Sequence, residues 1–235
     1  AVVALIDHPH IGRRPVHGGQ LIGAGDVFAP GSISAVKMGT TVATNALLER
    51  KGDRVVLVTT QGFGDALRIG YQARPEIFAL EIRLPELLYE RVIEADERVA
   101  ADGQVLRPLD EEPLREQLQG AFDAGIRSVA VALMHGYRFT EHERRIGEIC
   151  AAIGFDQVSL SHATSPLIKL VSRGDTTVVD AYLSPILRRY VDRVADELGA
   201  DADGGPQLMF MQSNGGLTDE RLFQGKDAIL SGPAG

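Results

Sequence analysis

Apolar and polar positions along the chain follow two periods in turn. Arg54-Val55-Val56-Leu57-Val58-Thr59 is a continuous, β-branched apolar run of the kind expected in a strand covered on both faces. Ser128 to Met134 and Gln207 to Met211 read the same way, and Gln157 to Leu160 is a shorter strand. Between these runs the period changes: Leu114, Leu118, Ala121 and Phe122 recur at helical spacing before Gly125, and Ile146, Ile149, Cys150 and Ile153 mark another helix. The longest helical pattern extends from Thr176 to Leu198, where Pro185 is expected to kink it or start a new segment. A shorter helix is expected over Thr44 to Lys51, with Thr44 as cap and Gly52 at the left-handed position beyond its end. Strands alternating with amphipathic helices predict an α/β fold with a mixed or mainly parallel sheet and crossover helices.

Other stretches break the alternation. Residues 1 to 33 mix proline, glycine and histidine without a sustained period, so they read as an irregular lead-in with one short strand at Val2 to Ile6. His8, His10 and His17 have no carboxylate or cysteine at ligand spacing and read as part of a polar segment rather than a metal site. Tyr89 to Val99 and Gln104 to Arg107 flank Ala101-Asp102-Gly103, a strong turn signal, and predict a locally inserted hairpin. Asp201 to Pro206 is a polar linker, which divides the chain into 1–33, 34–200 and 207–235. The chain opens on Ala1 and stops at Gly235 inside a glycine-rich motif, so both ends read as cut.

Charge narrows the partners. A net charge of -8 gives no electrostatic case for nucleic acid or an anionic membrane, and favours small molecules or proteins. No apolar run approaches the roughly 18 to 20 residues of a membrane helix and no stretch resembles a signal peptide, so the cytoplasm is the default. The single cysteine, Cys150, lies on the apolar face of its helix and reads as a buried structural thiol.

Candidate chemistry sits in three glycine-containing turns: Gly39-Thr40-Thr41, Ser213-Asn214-Gly215-Gly216 and the segment around Gly232. Glycine lets backbone approach a ligand and aim N–H groups at phosphate oxygens, while threonine, serine and asparagine add side-chain contacts. The loop before the first helix, with Thr40, Thr41 and Asn45, has the chemistry of an anion-binding helix start. Arg68, Arg74 and Arg173 could each hold a carboxylate in bidentate geometry or be surface arginines. His135 follows an apolar strand, where α/β proteins build sites, and is either an acid–base residue or a structural histidine. Asp180 lies in a helix otherwise facing the core, so it either reaches solvent or has a functional partner. The residues alone leave the metal ligands unknown.

The stretch Lys37-Met38-Gly39-Thr40-Thr41-Val42-Ala43-Thr44-Asn45-Ala46-Leu47-Leu48-Glu49-Arg50 resembles the hydantoinase/oxoprolinase family, and the match continues in order. Thr59 to Asp65, Ile69 to Arg74, Asp96 to Val99, Ser165 to Ile168, Met211 to Leu217 and Leu230 to Gly235 resemble its landmarks. Leu88 to Val92, Leu133 to Tyr137, Ser172 to Thr177 and Val179 to Leu183 are most similar to the branch that hydrolyses 5-oxo-L-proline. The resemblance assigns 34–200 to the family's N-terminal region and 207–235 to the start of its catalytic region. It implies an actin-like, sugar-kinase-like ATPase architecture, and ATP-dependent opening of 5-oxo-L-proline to L-glutamate, a step of glutathione metabolism, with ATP, Mg²⁺ and K⁺. It implies nucleotide contacts by Gly39, Thr40, Thr41, Asn45, Ser213, Asn214, Gly215, Gly216 and Gly232, substrate contacts by Arg68, Arg74 and Arg173, and catalytic roles for His135 and Asp180. Neither Asp-x-Gly-Gly-Thr phosphate hairpin of that ATPase class occurs in the sequence. The chain therefore reads as the piece between them, inactive alone and completed by the rest of the same polypeptide or enzyme, with a homo-oligomer left open. Alternatives within the family are an N-methylhydantoinase and the ATP-using subunit of an acetone-type carboxylase; an alternative outside catalysis is a truncated, partner-binding subunit.

Overall fold

The computed structural model describes residues 34–71, 86–200, 202 and 205–229, together with the backbone of β1 (Val3–Asp7) and β2 (Arg14–His17). It is an α/β structure of two compact units, one formed by Ala1–Gly52 with Leu183–Gly235, the other by Asp53–Tyr182.

The continuous unit is built on a four-stranded, wholly parallel sheet. Its strands are β4 (Val55–Thr60), β5 (Arg91–Ala95), β8 (Ser128–Ala132) and β9 (Gln157–Leu160), in the order β5-β4-β8-β9. Every residue of β4 and β8 is buried, as the unbroken apolar runs require of central parallel strands. The register pairs Val55 with Ser128 through Thr59 with Ala132, and Ser128 with Gln157 through Val131 with Leu160. Helices α3 (Glu111–Asp123) and α4 (Glu141–Ile153) bury Leu114, Leu118, Ile146, Ile149 and Cys150 against Val56, Val58, Val129 and Val131. Each such side chain removed from water contributes about 1.5–3 kcal/mol. Glu111 and Glu112 place negative charge in the first turn of α3, where the helix dipole favours it.

The stretch expected to form a hairpin arm from Tyr89 is divided instead. Arg91–Ala95 joins β4 in parallel as the sheet edge, burying Ile93 and Ala95 while Arg91 and Glu94 stay exposed. Only β6 (Arg98–Val99) and β7 (Val105–Arg107) form the hairpin. Its turn carries Gly103 at φ +98, and a Cβ there would stand 2.6 Å from the Phe139 ring, so both conformation and space demand glycine.

The other unit carries a five-stranded mixed sheet in the order β11-β10-β3-β1-β2, with β3 (Ala35–Gly39), β10 (Gln207–Met211) and β11 (Leu217–Asp219). The lead-in thus supplies two strands rather than one, both antiparallel to their neighbours. His8 and His10 lie outside the described residues, and His17 ends β2. Helix α1 (Val42–Leu48) starts before Thr44, and the Thr40 hydroxyl, not Thr44, accepts the Val42 N–H at 3.2 Å. Arg50, not Gly52, takes the left-handed position after it (φ 56), while Lys51 N–H reaches back to Ala46 O at 2.8 Å. Helix α6 (Leu170–Leu198) contains Pro185 without ending there; its residues up to Tyr182 belong to the parallel unit and those from Leu183 to the mixed-sheet unit. No helix among the described residues is long and apolar enough to cross a membrane.

Cys150 is fully buried, and burial pushes its thiol up to about 12. A raised pKa keeps it protonated, hence non-nucleophilic, through pH 8. Iodoacetamide at that pH is expected to leave the folded protein unmodified and to alkylate it completely in denaturant; rapid native labelling, followed by mass, would contradict the packing.

Candidate functional site

Two sets of polar groups collect where strands end, one in each unit. In the mixed-sheet unit β3 and β10 run parallel, in register from Ala35 with Gln207 to Met38 with Phe210. The segments that leave them, Gly39 to Thr41 and Gln212 to Gly216, therefore depart from the same end of the sheet. Thr40 is buried at this end, and Tyr190 of α6 hydrogen-bonds it; burial raises the Tyr190 phenol, an effect the Thr40 contact partly offsets. The Thr44 hydroxyl donates to the Ile229 carbonyl.

Residues 212 to 216 form the tight hairpin turn between β10 and β11. Gln212 N–H donates to Gly216 O at 2.7 Å and Gly215 N–H to Gln212 O at 2.9 Å. Gly215 sits at φ +81, and Asn214 Oδ1 accepts the Gly216 N–H at 2.8 Å, an Asx-type turn. Ser213 donates through both its N–H and its hydroxyl to Asp227 O, at 2.6 and 2.7 Å. This alters the expected chemistry: the N–H groups of Ser213, Gly215 and Gly216 are committed within the protein and do not form a backbone cradle for phosphate. At this sheet end the Thr41 side chain is half-buried, and those of Asn45 and Asn214 are exposed. Gly232 lies outside the described residues.

In the parallel unit two buried carboxylates organise the C-terminal strand ends. Glu97, 3% exposed, accepts the Thr60 hydroxyl at 2.5 Å on Oε1 and meets His142 Nδ1 at 2.8 Å on Oε2. The Thr60 oxygen in turn accepts the Met134 N–H at 2.9 Å, joining β4 to the segment after β8. Glu143, fully buried on α4, accepts the Leu133 N–H at 3.0 Å and the Ser161 hydroxyl at 2.6 Å on Oε1. Its Oε2 receives the His162 N–H at 3.0 Å and faces His162 Nδ1 at 2.7 Å. Sequence reasoning missed Thr60, Glu97, His142, Glu143, Ser161 and His162. The signal for Glu143 was present, because it shares a helix face with Ile146 and Cys150 at i+3 and i+7, where a carboxylate must be partnered.

Arg173 completes this network and is corrected from its expected role. It is fully buried, with Nε on the Ser161 hydroxyl at 2.9 Å, Nη1 on Leu167 O at 2.6 Å and on Ile168 O at 3.3 Å, and Nη2 on Met134 O at 3.1 Å and on Leu133 O. All five guanidinium N–H groups are engaged, so none remains for a substrate carboxylate. Asp180, 4% exposed, accepts the Ser159 hydroxyl at 2.7 Å, and Ser159 accepts the Gln157 amide at 2.9 Å. One partner is therefore a β9 side chain, which ties α6 to the sheet. His135 is half-buried with Nδ1 at 2.6 Å from Val99 O. A carbonyl only accepts, so Nδ1 carries the proton and Nε2 is the ring's acceptor in the neutral form. Arg68 is exposed on α2 (Ala66–Ile69), and Arg74 lies outside the described residues. Beside α2, an open groove of about 620 Å³ is lined by Asp65, Ala66, Ile69, Val92 and Glu94, with Glu94 Oε1 holding the N–H groups of Gly62 and Gly64 at 2.9 and 2.8 Å. Among the described residues no cluster of His, Cys, Asp and Glu side chains is placed to hold a metal ion.

A family model described as the hydantoinase/oxoprolinase N-terminal region matches residues 20–154, and one described as hydantoinase/oxoprolinase matches 173–235. The chain is 46% identical over 222 residues to 5-oxoprolinase 1 of Arabidopsis thaliana and 40% identical over 231 residues to 5-oxoprolinase of Saccharomyces cerevisiae. These alignments cover 86% and 87% of the chain, which spans only 18% of the length of either relative. Among solved structures, the ATP-dependent caprolactamase from Pseudomonas jessenii superposes with a TM-score of 0.72 at 33% identity, covering 83% of this chain and 29% of that one. A nucleotide-free acetone carboxylase agrees in fold, with a TM-score of 0.73 at 21% identity over 83% of this chain and 30% of that one.

Proposed function

Because the chain belongs to the hydantoinase/oxoprolinase family, we propose that it is part of an ATP-dependent cyclic-amide hydrolase that opens 5-oxo-L-proline to L-glutamate. The observation that carries the reading is the convergence of Gly39–Thr41 and Gln212–Gly216 on one end of the mixed sheet, in a chain similar to enzymes named 5-oxoprolinase. An unstrained lactam is a poor electrophile. Transfer of the γ-phosphoryl group of ATP to the carbonyl oxygen releases ADP and lets one water add to the carbonyl carbon. The C–N bond then breaks to free the amine, and a second water hydrolyses the resulting acyl phosphate to glutamate and phosphate, while Mg²⁺ and K⁺, when bound, would neutralise the phosphates.

This chain's contribution is positional. Thr41, Asn45 and Asn214 fit a nucleotide as side-chain donors to its phosphates, and the bonds of the 212–216 turn hold Asn214 in place. Thr40 supports them from beneath, tied to Val42 and Tyr190. His135, with Nδ1 anchored on Val99, offers Nε2 as a proton acceptor. The remaining phosphate contacts and the water-activating groups belong to the rest of an enzyme of which this chain is about a fifth, judged by its relatives, and the reaction takes place in the cytoplasm where ATP is supplied.

A substrate panel tests the reading. The complete gene product is expected to use ATP with 5-oxo-L-proline at a kcat/KM at least about tenfold above that with N-methylhydantoin, or with acetone plus bicarbonate, a preference of about 1.4 kcal/mol. A preference for either of the others would transfer the chain to that branch of the family.

A further inference from the structure

Tyr89 is anomalous in the parallel unit. The residue is 8% exposed, and its hydroxyl is buried with no hydrogen-bond partner among the described residues. Buried phenols ordinarily find a partner, and a donor without one is a candidate for ligand contact. The hydroxyl lies within electrostatic reach of Asp175, Arg68 and Asp65; burial, then Asp175, raises its pKa, so it stays protonated and able to donate. Burial also raises the Asp175 carboxyl.

These groups share one place because α2 lies against the start of α6. Gly174 approaches α2 so closely that a Cβ would stand 2.8 Å from Leu67 Cδ1, and the Tyr71 hydroxyl meets Ser172 Oγ at 2.5 Å. Arg68 next to Leu67, and Asp175 next to Gly174, are both exposed. A cation, a carboxylate and a desolvated donor thus lie in one neighbourhood where α2 meets α6, and Asp65 also lines the groove beside α2. Among the described residues, none of the Tyr89, Arg68 and Asp175 side chains makes a hydrogen bond or ion pair that would hold it to a structural role, in contrast to Arg173.

We propose that Tyr89, Arg68 and Asp175 recognise a small amide that carries a carboxylate, Arg68 and the Tyr89 hydroxyl binding the carboxylate and Asp175 accepting the amide N–H. The assignment rests on the amide-hydrolase reading above. In 5-oxo-L-proline the carboxylate is attached to the carbon next to the ring nitrogen, which suits a cation and a carboxylate set side by side. The lactam carbonyl oxygen is left open to phosphorylation.

The test uses the complete gene product and two readouts, calorimetric binding of 5-oxo-L-proline and steady-state turnover. Tyr89→Phe is expected to weaken binding and raise KM about tenfold, with kcat within about threefold. Its melting temperature should be unchanged or higher, because the deleted hydroxyl bonds nothing among the described residues. Arg68→Met is expected to lower affinity for 5-oxo-L-proline about a hundredfold while leaving that for 2-pyrrolidinone, which lacks the carboxylate, within about threefold. Unaltered binding in Tyr89→Phe, a fall of several degrees in its melting temperature, or equal losses for both lactams in Arg68→Met would overturn the assignment. Binding without ATP-coupled turnover in the wild type would instead contradict the reaction and leave the site standing.

Discussion

Arg173→Ala is expected to lower the melting temperature by roughly 10 °C, the largest stability effect of any single side chain in the parallel unit. Arg173 is fully buried, and its five N–H groups hold the Ser161 hydroxyl and the carbonyls of Leu133, Met134, Leu167 and Ile168. Burial lowers its pKa and the nearby Glu143 carboxylate partly restores it, so the two charges depend on each other. Alanine would leave those carbonyls without their donor and the buried Glu143 carboxylate without the positive charge beside it. Breaking such a buried pair costs about 3–5 kcal/mol, and each kcal/mol shifts the midpoint by about 2–4 °C in a domain of this size. Arg173→Lys should recover little, since a point charge cannot reproduce the fork of donors. Calorimetric scans of the three proteins decide it; a midpoint for Arg173→Ala within about 2 °C of wild type would show that the network is not structural.

The second large effect is on rate. In the complete gene product Asn214→Ala is expected to lower kcat about a hundredfold, equivalent to about 2.7 kcal/mol of transition-state stabilisation. Asn214 is exposed, and its one hydrogen bond to the protein runs from the Gly216 N–H to Oδ1, so its loss should cost only about 1 kcal/mol of stability. An N–H donor can be met only by the amide oxygen. That bond therefore fixes the side-chain orientation and holds the Nδ2 donor in one direction, as a phosphate contact requires. A rate within a fewfold of wild type, or a loss that merely follows unfolding, would make Asn214 a turn residue alone.

What the sequence discloses depends on whether a residue's role is local. The strands β4 and β8 were legible because strands covered on both faces need unbroken apolar runs, and the shorter β9 and β10, with only alternate residues buried, fell on the residues expected. β5 was not, because the Asp102-Gly103 turn is a strong local signal and the pairing of Arg91–Ala95 with β4 is not local. In residues 1–33 the strand expected at Val2 to Ile6 corresponds to β1, but β2 was hidden for the same reason: a short strand in a proline- and glycine-rich stretch is specified by the sheet it joins. Pro185 was expected to kink the long helix or start a new segment; no new segment starts there, because packing along α6 buries Leu183 and Leu187 on either side of it and offsets the lost backbone bond.

The site shows the same division. That Gly39–Thr41 and Gln212–Gly216 leave one sheet end follows from β3 and β10 being adjacent parallel strands, but the internal bonding of the 212–216 turn was beyond any motif. Arg173 was a candidate substrate contact because sequence reports its charge without its depth, whereas Asp180 was expected to reach solvent or a functional partner and is buried against Ser159. Tyr89 drew attention only as part of a matched stretch, since an unpartnered hydroxyl is a property of three-dimensional surroundings.

The most direct measurement of the central claim is the stoichiometry of ADP and L-glutamate released by the complete gene product with ATP and 5-oxo-L-proline. Coupled lactam opening predicts one ADP for each glutamate, with ADP formation at background when 5-oxo-L-proline is omitted. Glutamate formed without ATP, or ADP formed at the same rate with and without 5-oxo-L-proline, would contradict it.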